Sequence, residues 1–445
     1  MKKLAIFVSL IMMLTLALAG CGGGTDSAAP ADGSGDAAAT GTSGAGAAAA
    51  DTGDAVNINL WAGFTGDDAK AMEGMVANFN EEHPDINVTF YTAPWSDMFT
   101  KFAASYGTDA GPDAIIMHAT DIPNFASREM IAPLDDLTEQ LGVSADDYSE
   151  NIWTGNGYEG VQYGIPLDYH PMAVFKNVEL FEAAGLDPEM TFETKEDFLA
   201  AAEALTNENQ HGIALGAEHA HSMRYWYGLL YQAGGEFLTE DMSASAFNSP
   251  EGTEALTFLS DLIFTQKVAP ELEADIDRDW LSGNVAMVIE GPWFVPTAVD
   301  SGFEFTTAPF PQIFDEAAVW AGSHTLTLPA QSNGEDREAA AITLVSWIAE
   351  NSVQWGISSG QIPASYTVQQ SEEYTSMDNY KYVKAFIDQA EIVHYEPLIP
   401  KTAEIGADNQ LSPILNGIFS ALRGDQTPQE ALDTAAGEVD SILQS

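Results

Sequence analysis

His219-Ala220-His221 beside Glu218 sets two imidazoles and a carboxylate within four residues, and these are the residue types that hold a zinc ion. A zinc centre wants three or four converging ligands, and histidines at i and i+2 on a helix do not face each other, so the group is incomplete by itself. The 67 Asp and Glu could include a pair about 5–9.5 Å apart, as glycoside hydrolysis requires, but no spacing singles one out. No nucleophile elbow, His-Glu-x-x-His helix or P-loop is read from the sequence, so catalysis is the minor reading and neither a cofactor nor a metal is expected. The remaining chemical signal is aromatic and polar: Trp61 to Thr65 and His118 to Asp121, each following an apolar run.

The elements that would position those groups follow from periodicity. Val56-Asn57-Ile58-Asn59-Leu60-Trp61 alternates as a strand with one buried face would, which leaves Trp61 readable as a site residue or as a core layer. Thr65 and Asp68 fit a helix start, with Met72, Met75, Val76 and Phe79 at helical spacing until His83-Pro84 stops it. Ile86 to Phe90 alternates again, and Ala114-Ile115-Ile116-Met117 reads as a fully buried strand. Strand, helix, strand, connection and strand predict a mostly parallel sheet with helices on both faces, whose ligands sit at the carboxyl ends of strands. Further on, Ser249-Pro250-Glu251 opens a helix with the stripe Leu256, Leu259, Leu262 and Ile263. Val285 to Ile289 is another buried strand ended by Gly291-Pro292, and Thr427-Pro428-Gln429-Glu430 is a capping box.

The amino terminus addresses location. Lys2-Lys3, an apolar run from Leu4 to Gly20 that is short for a bilayer span, and small residues before Cys21 mark an export signal. Leu18-Ala19-Gly20-Cys21 resembles the lipobox of bacterial lipoproteins. That resemblance implies removal of residues 1–20 and a lipid on Cys21 that holds the chain to the outer face of a cell membrane. Residues 21–54, rich in Gly, Ala, Ser and Asp, read as a flexible tether. With Cys21 the only cysteine, no intrachain disulfide can form.

About 425 residues then remain, 45% of the whole chain being hydrophobic, enough for two compact lobes. Fifteen Lys and Arg against 67 acids give a net charge of −52, or −54 once Lys2 and Lys3 leave with the signal. Such a charge opposes nucleic acid and anionic lipid. Because the acids are scattered, they fit a solvated surface suited to a saline or alkaline exterior better than a site for a cationic substrate.

Gly283-Asn284-Val285-Ala286-Met287-Val288-Ile289-Glu290-Gly291-Pro292-Trp293 resembles the "G-x-x-A-M-x-x-x-G-P-W" segment of family 1 extracellular solute-binding proteins. Gly111-Pro112-Asp113-Ala114-Ile115-Ile116, Tyr163-Gly164-Ile165-Pro166, Leu180-Phe181-Glu182-Ala183-Ala184-Gly185-Leu186, Ala339 to Ile348 and Gly360-Gln361-Ile362-Pro363-Ala364 continue the likeness in order, over residues 55 to 440. The resemblance implies an α/β fold of two periplasmic-binding-protein-like lobes, each a mostly parallel sheet flanked by helices, joined by a hinge. Residues 55–168 and 326–375 would form the first lobe, and 169–325 with 376–445 the second. It also implies a monomer that holds a carbohydrate in the cleft and delivers it, unaltered, to the permease subunits of an ABC importer.

By the same resemblance Trp293 is the stacking platform at the cleft mouth, and Asp121 is a cleft aspartate as well as a candidate N-cap. His118 stands where a sugar-binding member carries a tryptophan, which points away from maltodextrin, and His170 stands where that member carries a glutamate. Trp61 and Thr65 end the first strand, Trp95 and Asp97 lie in a loop that commonly lines the cleft, and Tyr225 with Trp226 falls where the family often sets another aromatic, or else forms a core stripe. Ser323 and His324 belong to the return crossing near the hinge. A sugar needs such a set, because flat C–H faces stack on aromatic rings and hydroxyls seek carboxylates, amides and imidazoles.

Overall fold

The structure is a computed structural model that describes residues 55–217, 220–272, 275–407 and 409–445. The export signal, Cys21 and the tether lie outside the described residues, as do Glu218 and His219 of the imidazole group. Among the described residues no helix is long and apolar enough to cross a membrane.

The strands in chain order are β1 (Val56–Ala62), β2 (Ile86–Thr92), β3 (Ala114–His118), β4 (Gly157–Tyr158), β5 (Val161–Gln162), β6 (Ile165–Pro166), β7 (Asp168–Pro171) and β8 (Ala173–Asn177). They continue with β9 (His211–Ile213), β10 (Val285–Glu290), β11 (Phe305–Pro309), β12 (Val319–Gly322), β13 (His324–Thr327), β14 (Ile362–Pro363) and β15 (Val393–His394). One sheet has the order β2-β1-β3-β13-β6, a second β11-β8-β10-β9, and a smaller third β14-β7-β12-β15. The helix Gly66–Glu82 buries Met72, Met75, Val76 and Phe79 on the first sheet, the stripe its spacing predicts.

The α/β architecture with two lobes is the one expected, but the sheets are mixed rather than mostly parallel. β1 runs parallel to β2 and β3, whereas β13 is antiparallel to both β3 and β6. In the second lobe β8 is antiparallel to β10 and β11, and β9 alone pairs parallel with β10. β6 leads directly into β7 and β13 follows directly on β12, each pair of strands being one residue apart and in different sheets, so neither joins the first sheet through the helical crossover that brings a strand back parallel.

Two apolar cores stand behind these sheets. The first holds Ile58, Leu60, Phe79, Leu167 and Leu326 to Trp355, and against it lies a smaller cluster around Trp61, Phe102 and Phe125. The second takes in Tyr148 and Ile152, from the stretch expected in the first lobe, and then runs from Tyr169 through Trp226, Met287 and Ala321 to Val439. The stretch expected to belong wholly to the first lobe, 326–375, is divided: residues to Trp355 join the first core, and Ile362, Ala364 and Tyr374 join the second. Apart from the excursion at Tyr148 and Ile152, the chain passes from one core to the other at Leu167–Tyr169, Ala321–Leu326 and Trp355–Ile362.

Candidate ligand-binding site

Asp168 lies where those three passages meet, and it is fully buried. Its Oδ1 accepts from His170 Nδ1 at 3.2 Å and from the His324 backbone N–H at 2.9 Å. Its Oδ2 accepts from His324 Nδ1 and Trp355 Nε1, each at 2.7 Å. Burial alone would raise this carboxyl, but the charge of His324 and the hydrogen bonds from both imidazoles outweigh it and hold the group well below the usual carboxylate range. Burial pulls the His170 imidazole down to about 4 against the raising effect of Asp168. At neutral pH, then, an ionised Asp168 takes the Nδ1 proton of each ring, and the Nε2 of the neutral His170 is left as an acceptor.

Both rings line a cavity of about 450 Å3 between the lobes, with Trp95 and His118 on the first-lobe side and Trp293 on the other. The His118, His170 and His324 rings cluster, with centroids 4.6 Å apart for His170 and His324 and 5.3 Å for His118 and His324. Trp95 stacks at 15° on His324 with 5.5 Å between centroids, and Trp293 stands 5.6 Å from His170 at 74°. The two indoles owe their positions to glycine. A Cβ on Gly63 would sit 1.9 Å from the Trp95 ring, and one on Gly291 2.2 Å from the Trp293 ring, so each ring lies flat on bare backbone. The Gly291-Pro292-Trp293 sequence is thus a seat for its own tryptophan.

Beyond Trp95 and His118 the cleft opens into a second cavity of about 430 Å3 that Asp121, Asn124, Glu396, Thr402 and Gln410 also line. His118 Nδ1 lies 3.5 Å from Asp121 Oδ2. At the opposite end Thr297 Oγ1 donates to Asp67 Oδ2 at 3.4 Å, a contact across the cleft. Asp68, in the first turn of Gly66–Glu82, accepts from Gln361 Nε2 at 3.0 Å, yet burial, helped by Asp168 and Asp67, pushes it up to about 8. On the second lobe burial and the nearby Glu290 carry Asp277 to about 8, partly offset by His221, whose Nε2 is 2.8 Å from Glu290 Oε1. Arg224 is the one Lys or Arg among the described residues lining the two cavities, its guanidinium 4.4 Å from the Trp320 ring centroid and 5.6 Å from that of Trp293.

Of the residues expected at the site, Thr65, Trp95, His118, His170, Trp293 and His324 line the inner cavity, and Asp121 lines the outer one. Five lie elsewhere. Trp61 is 4% exposed and belongs to the first lobe's small cluster, 5.0 Å from Tyr91. Asp97 is exposed in the first turn of the helix Trp95–Ser105 and lines neither cavity. Tyr225 and Trp226 are fully buried, the hydroxyl donating to Ile289 O and the indole to Gly252 O, because the helix His221–Gln232 turns Arg224 rather than its two aromatic neighbours to the cleft. Ser323 is buried beneath the site and donates to Asp168 O at 2.7 Å. Asp68, Asp168, Arg224, Asp277 and Gln361 were not anticipated. Asp168 lies two residues before His170, the one local signal that could have found it.

Asp168, His170 and His324 are the group of described residues whose ligand atoms, all within 4.8 Å of one another, could surround an ion. Four donors already occupy the four lone-pair positions of this carboxylate, so an ion would have to displace them, and the residues fit a hydrogen-bonded hub better than a metal centre. Contrary to the expectation that the sequence holds no nucleophile elbow, the pentapeptide Gly356-Ile357-Ser358-Ser359-Gly360 has the spacing of one. Ser358 is exposed on the helix Ser352–Ser359 and not on a strand-to-helix turn, so it does not form one.

Comparison with known proteins accords with this geometry. The family model for bacterial extracellular solute-binding protein matches residues 62–355. A maltotriose-binding protein of Pyrococcus abyssi is 23% identical over 363 residues, covering 78% of this chain and 74% of its own. The sn-glycerol-3-phosphate-binding periplasmic protein UgpB of Escherichia coli is 22% identical over 422 residues, covering 87% and 92%. The crystal structure of a cyclic alpha-maltosyl-1,6-maltose binding protein from Arthrobacter globiformis superposes with a TM-score of 0.72 at 27% identity, over 87% of this chain and 99% of that one. Every relative named here is a binding protein. The chain belongs to the family of bacterial extracellular solute-binding proteins.

Proposed function

We propose that this protein is the lipid-anchored receptor of an ABC importer, a monomer that captures a carbohydrate between its lobes and passes it unaltered to the permease subunits. One observation carries the reading: Trp95 and Trp293, from opposite lobes, are each laid flat on a glycine across a cavity whose floor is three imidazoles. Indole faces suit sugar C–H faces, and imidazoles with carboxylates suit hydroxyls. Thr65, Trp95, His118, Asp121, His170, Trp293 and His324 make these contacts. Since the ligand touches both lobes only when they are closed, it shifts the equilibrium toward the closed form. The maltotriose and cyclic maltosyl-maltose names of relatives support a saccharide. Cys21 supplies the anchor, and Cys21→Ala should move the protein from the membrane fraction to the medium or periplasm.

Arg224 favours a second reading. A buried guanidinium in the cleft wall suits a phosphorylated polyol, and one relative is a glycerol-3-phosphate-binding protein. A thermal-shift panel decides between them, because a ligand bound only by the folded state adds about 2.7 kcal/mol at one hundred times its Kd. Stabilisation by neutral mono- or oligosaccharides supports the first reading; stabilisation by phosphorylated polyols alone supports the second, and a response only to metals or peptides overturns both.

A further inference from the structure

Glu396 stands between two hollows. On one side is the outer cavity of the cleft, about 430 Å3; on the other is a surface hollow of about 610 Å3 in the second lobe, lined among others by Tyr227, Tyr231, Glu236, Met242 and Tyr395. The Glu396 carboxylate is held at this boundary, with Trp320 Nε1 donating to Oε1 at 3.1 Å and Ala407 N–H to Oε2 at 2.9 Å. The hollow beyond it repeats the chemistry of the cleft. The Tyr231 ring lies on His394 with 4.2 Å between centroids and 26° between planes, and its hydroxyl is 3.5 Å from that of Tyr227, so it is a supported and half-buried face.

Carboxylates of Glu236, Glu240 and Glu396 surround that face, and no Lys or Arg is present among the described lining residues. At the rim Met242 is 47% exposed with a backbone φ of 56°, a conformation that a side chain rarely adopts and that its N–H to Thr239 O bond of 2.7 Å stabilises. An apolar side chain held outward beside an aromatic platform, next to carboxylate acceptors of which Glu396 is fixed, is what the ring of a sugar and its hydroxyls require.

We propose that this hollow is an outer subsite, and that the ligand is an oligosaccharide whose inner sugars fill the cleft while a distal sugar passes Glu396 and rests on Tyr231. The inference rests on the carbohydrate reading of the cleft and adds ligand length to it. Calorimetry on the full protein with malto- and arabino-oligosaccharides of increasing length tests it. In whichever series binds, affinity should climb with length by about tenfold or more; Tyr231→Ala should remove that gain for the longest member while the shortest changes by less than about twofold, and Tyr231→Phe should retain it.

Equal affinity at every length, or a Tyr231→Ala effect that is the same for short and long members, overturns the outer subsite and leaves the cleft reading standing. Failure of every saccharide to bind overturns the cleft reading itself. Spermidine binding that Tyr231→Ala abolishes would assign the hollow to a cation instead. Should Tyr231→Ala fail to fold, Met242→Ser at the exposed rim carries the same comparison.

Discussion

His324 Nδ1 lies 2.7 Å from Asp168 Oδ2, and through this bond a residue of the first lobe's sheet is tied to the residue at which the chain leaves that lobe. The same carboxylate holds His170 and Trp355, so one buried charge orients both imidazoles through Nδ1 and joins the three passages between lobes. Asp168→Asn keeps the shape and removes the charge. It should lower ligand affinity by about tenfold or more, the worth of a hydrogen bond to a charged group, and nitrogen NMR should show the Nδ1–H form of His170 and His324 losing its dominance. A purely structural role predicts a lower melting temperature with both tautomers retained.

Trp293 is half-buried, packed on Gly291 and open to the cavity, so its removal costs binding more than folding. Trp293→Ala should weaken ligand affinity by about 10–100-fold with a small change in melting temperature. Gly291→Ala should reproduce much of that loss without touching the indole, because its Cβ would overlap the ring. Titration calorimetry on the two variants checks this, and an unchanged Kd for Trp293→Ala removes the indole from the site.

Sequence made parts of this site legible for local reasons. Trp293 follows Gly291-Pro292, Thr65 lies just beyond an alternating strand, and His118 ends an apolar run. Asp168 was hidden because its partners are distant: His324 is 156 residues away and Trp355 is 187. Within the Leu167-Asp168-Tyr169-His170 run only the two-residue offset from His170 hints at which way the acid faces. The helix His221–Gln232 misled for a different reason. It is buried on nearly every face, so no polar stripe marks its orientation, and a rotation of about 100° per residue exchanges Tyr225 for Arg224. Asp68 read as helix-start chemistry because it does occupy the first turn. Strand direction was legible for β1, β2 and β3, which pair parallel as expected, but not for the antiparallel β8 and β13, since apolar runs such as Val285 to Ile289 look alike in either sense.

The buried aromatics next to Arg224 should behave as core. Trp226 is fully buried and makes edge contact with Phe247 at 5.7 Å, so Trp226→Ala should cost about 3–5 kcal/mol of stability through the cavity it leaves. Affinity of the folded fraction should stay within about twofold. Denaturant unfolding beside calorimetry separates the two effects, and a large affinity loss at unchanged stability would return Trp226 to the ligand.

Asp68 makes ligand-free stability depend on pH in a stated direction. Its ordinary value is 3.8 and its folded value about 8, so between those limits the unfolded chain releases a proton that the folded protein keeps, and stability falls as pH rises. Asp277, also held near 8, adds to the same slope. His170, lowered to about 4, acts oppositely, but only below its ordinary 6.5, where the unfolded imidazole takes up a proton first. From about pH 6.5 to 8 the carboxyls therefore act unopposed by that ring. Asp68→Asn keeps a neutral group with an oxygen for Gln361 and nothing to ionise. It should melt above the parent at pH 8 and lose that advantage toward pH 4. Calorimetric scans in matched buffers would show this crossing, and a pH-independent offset between the two proteins would mean that Asp68 is ionised in the folded cleft.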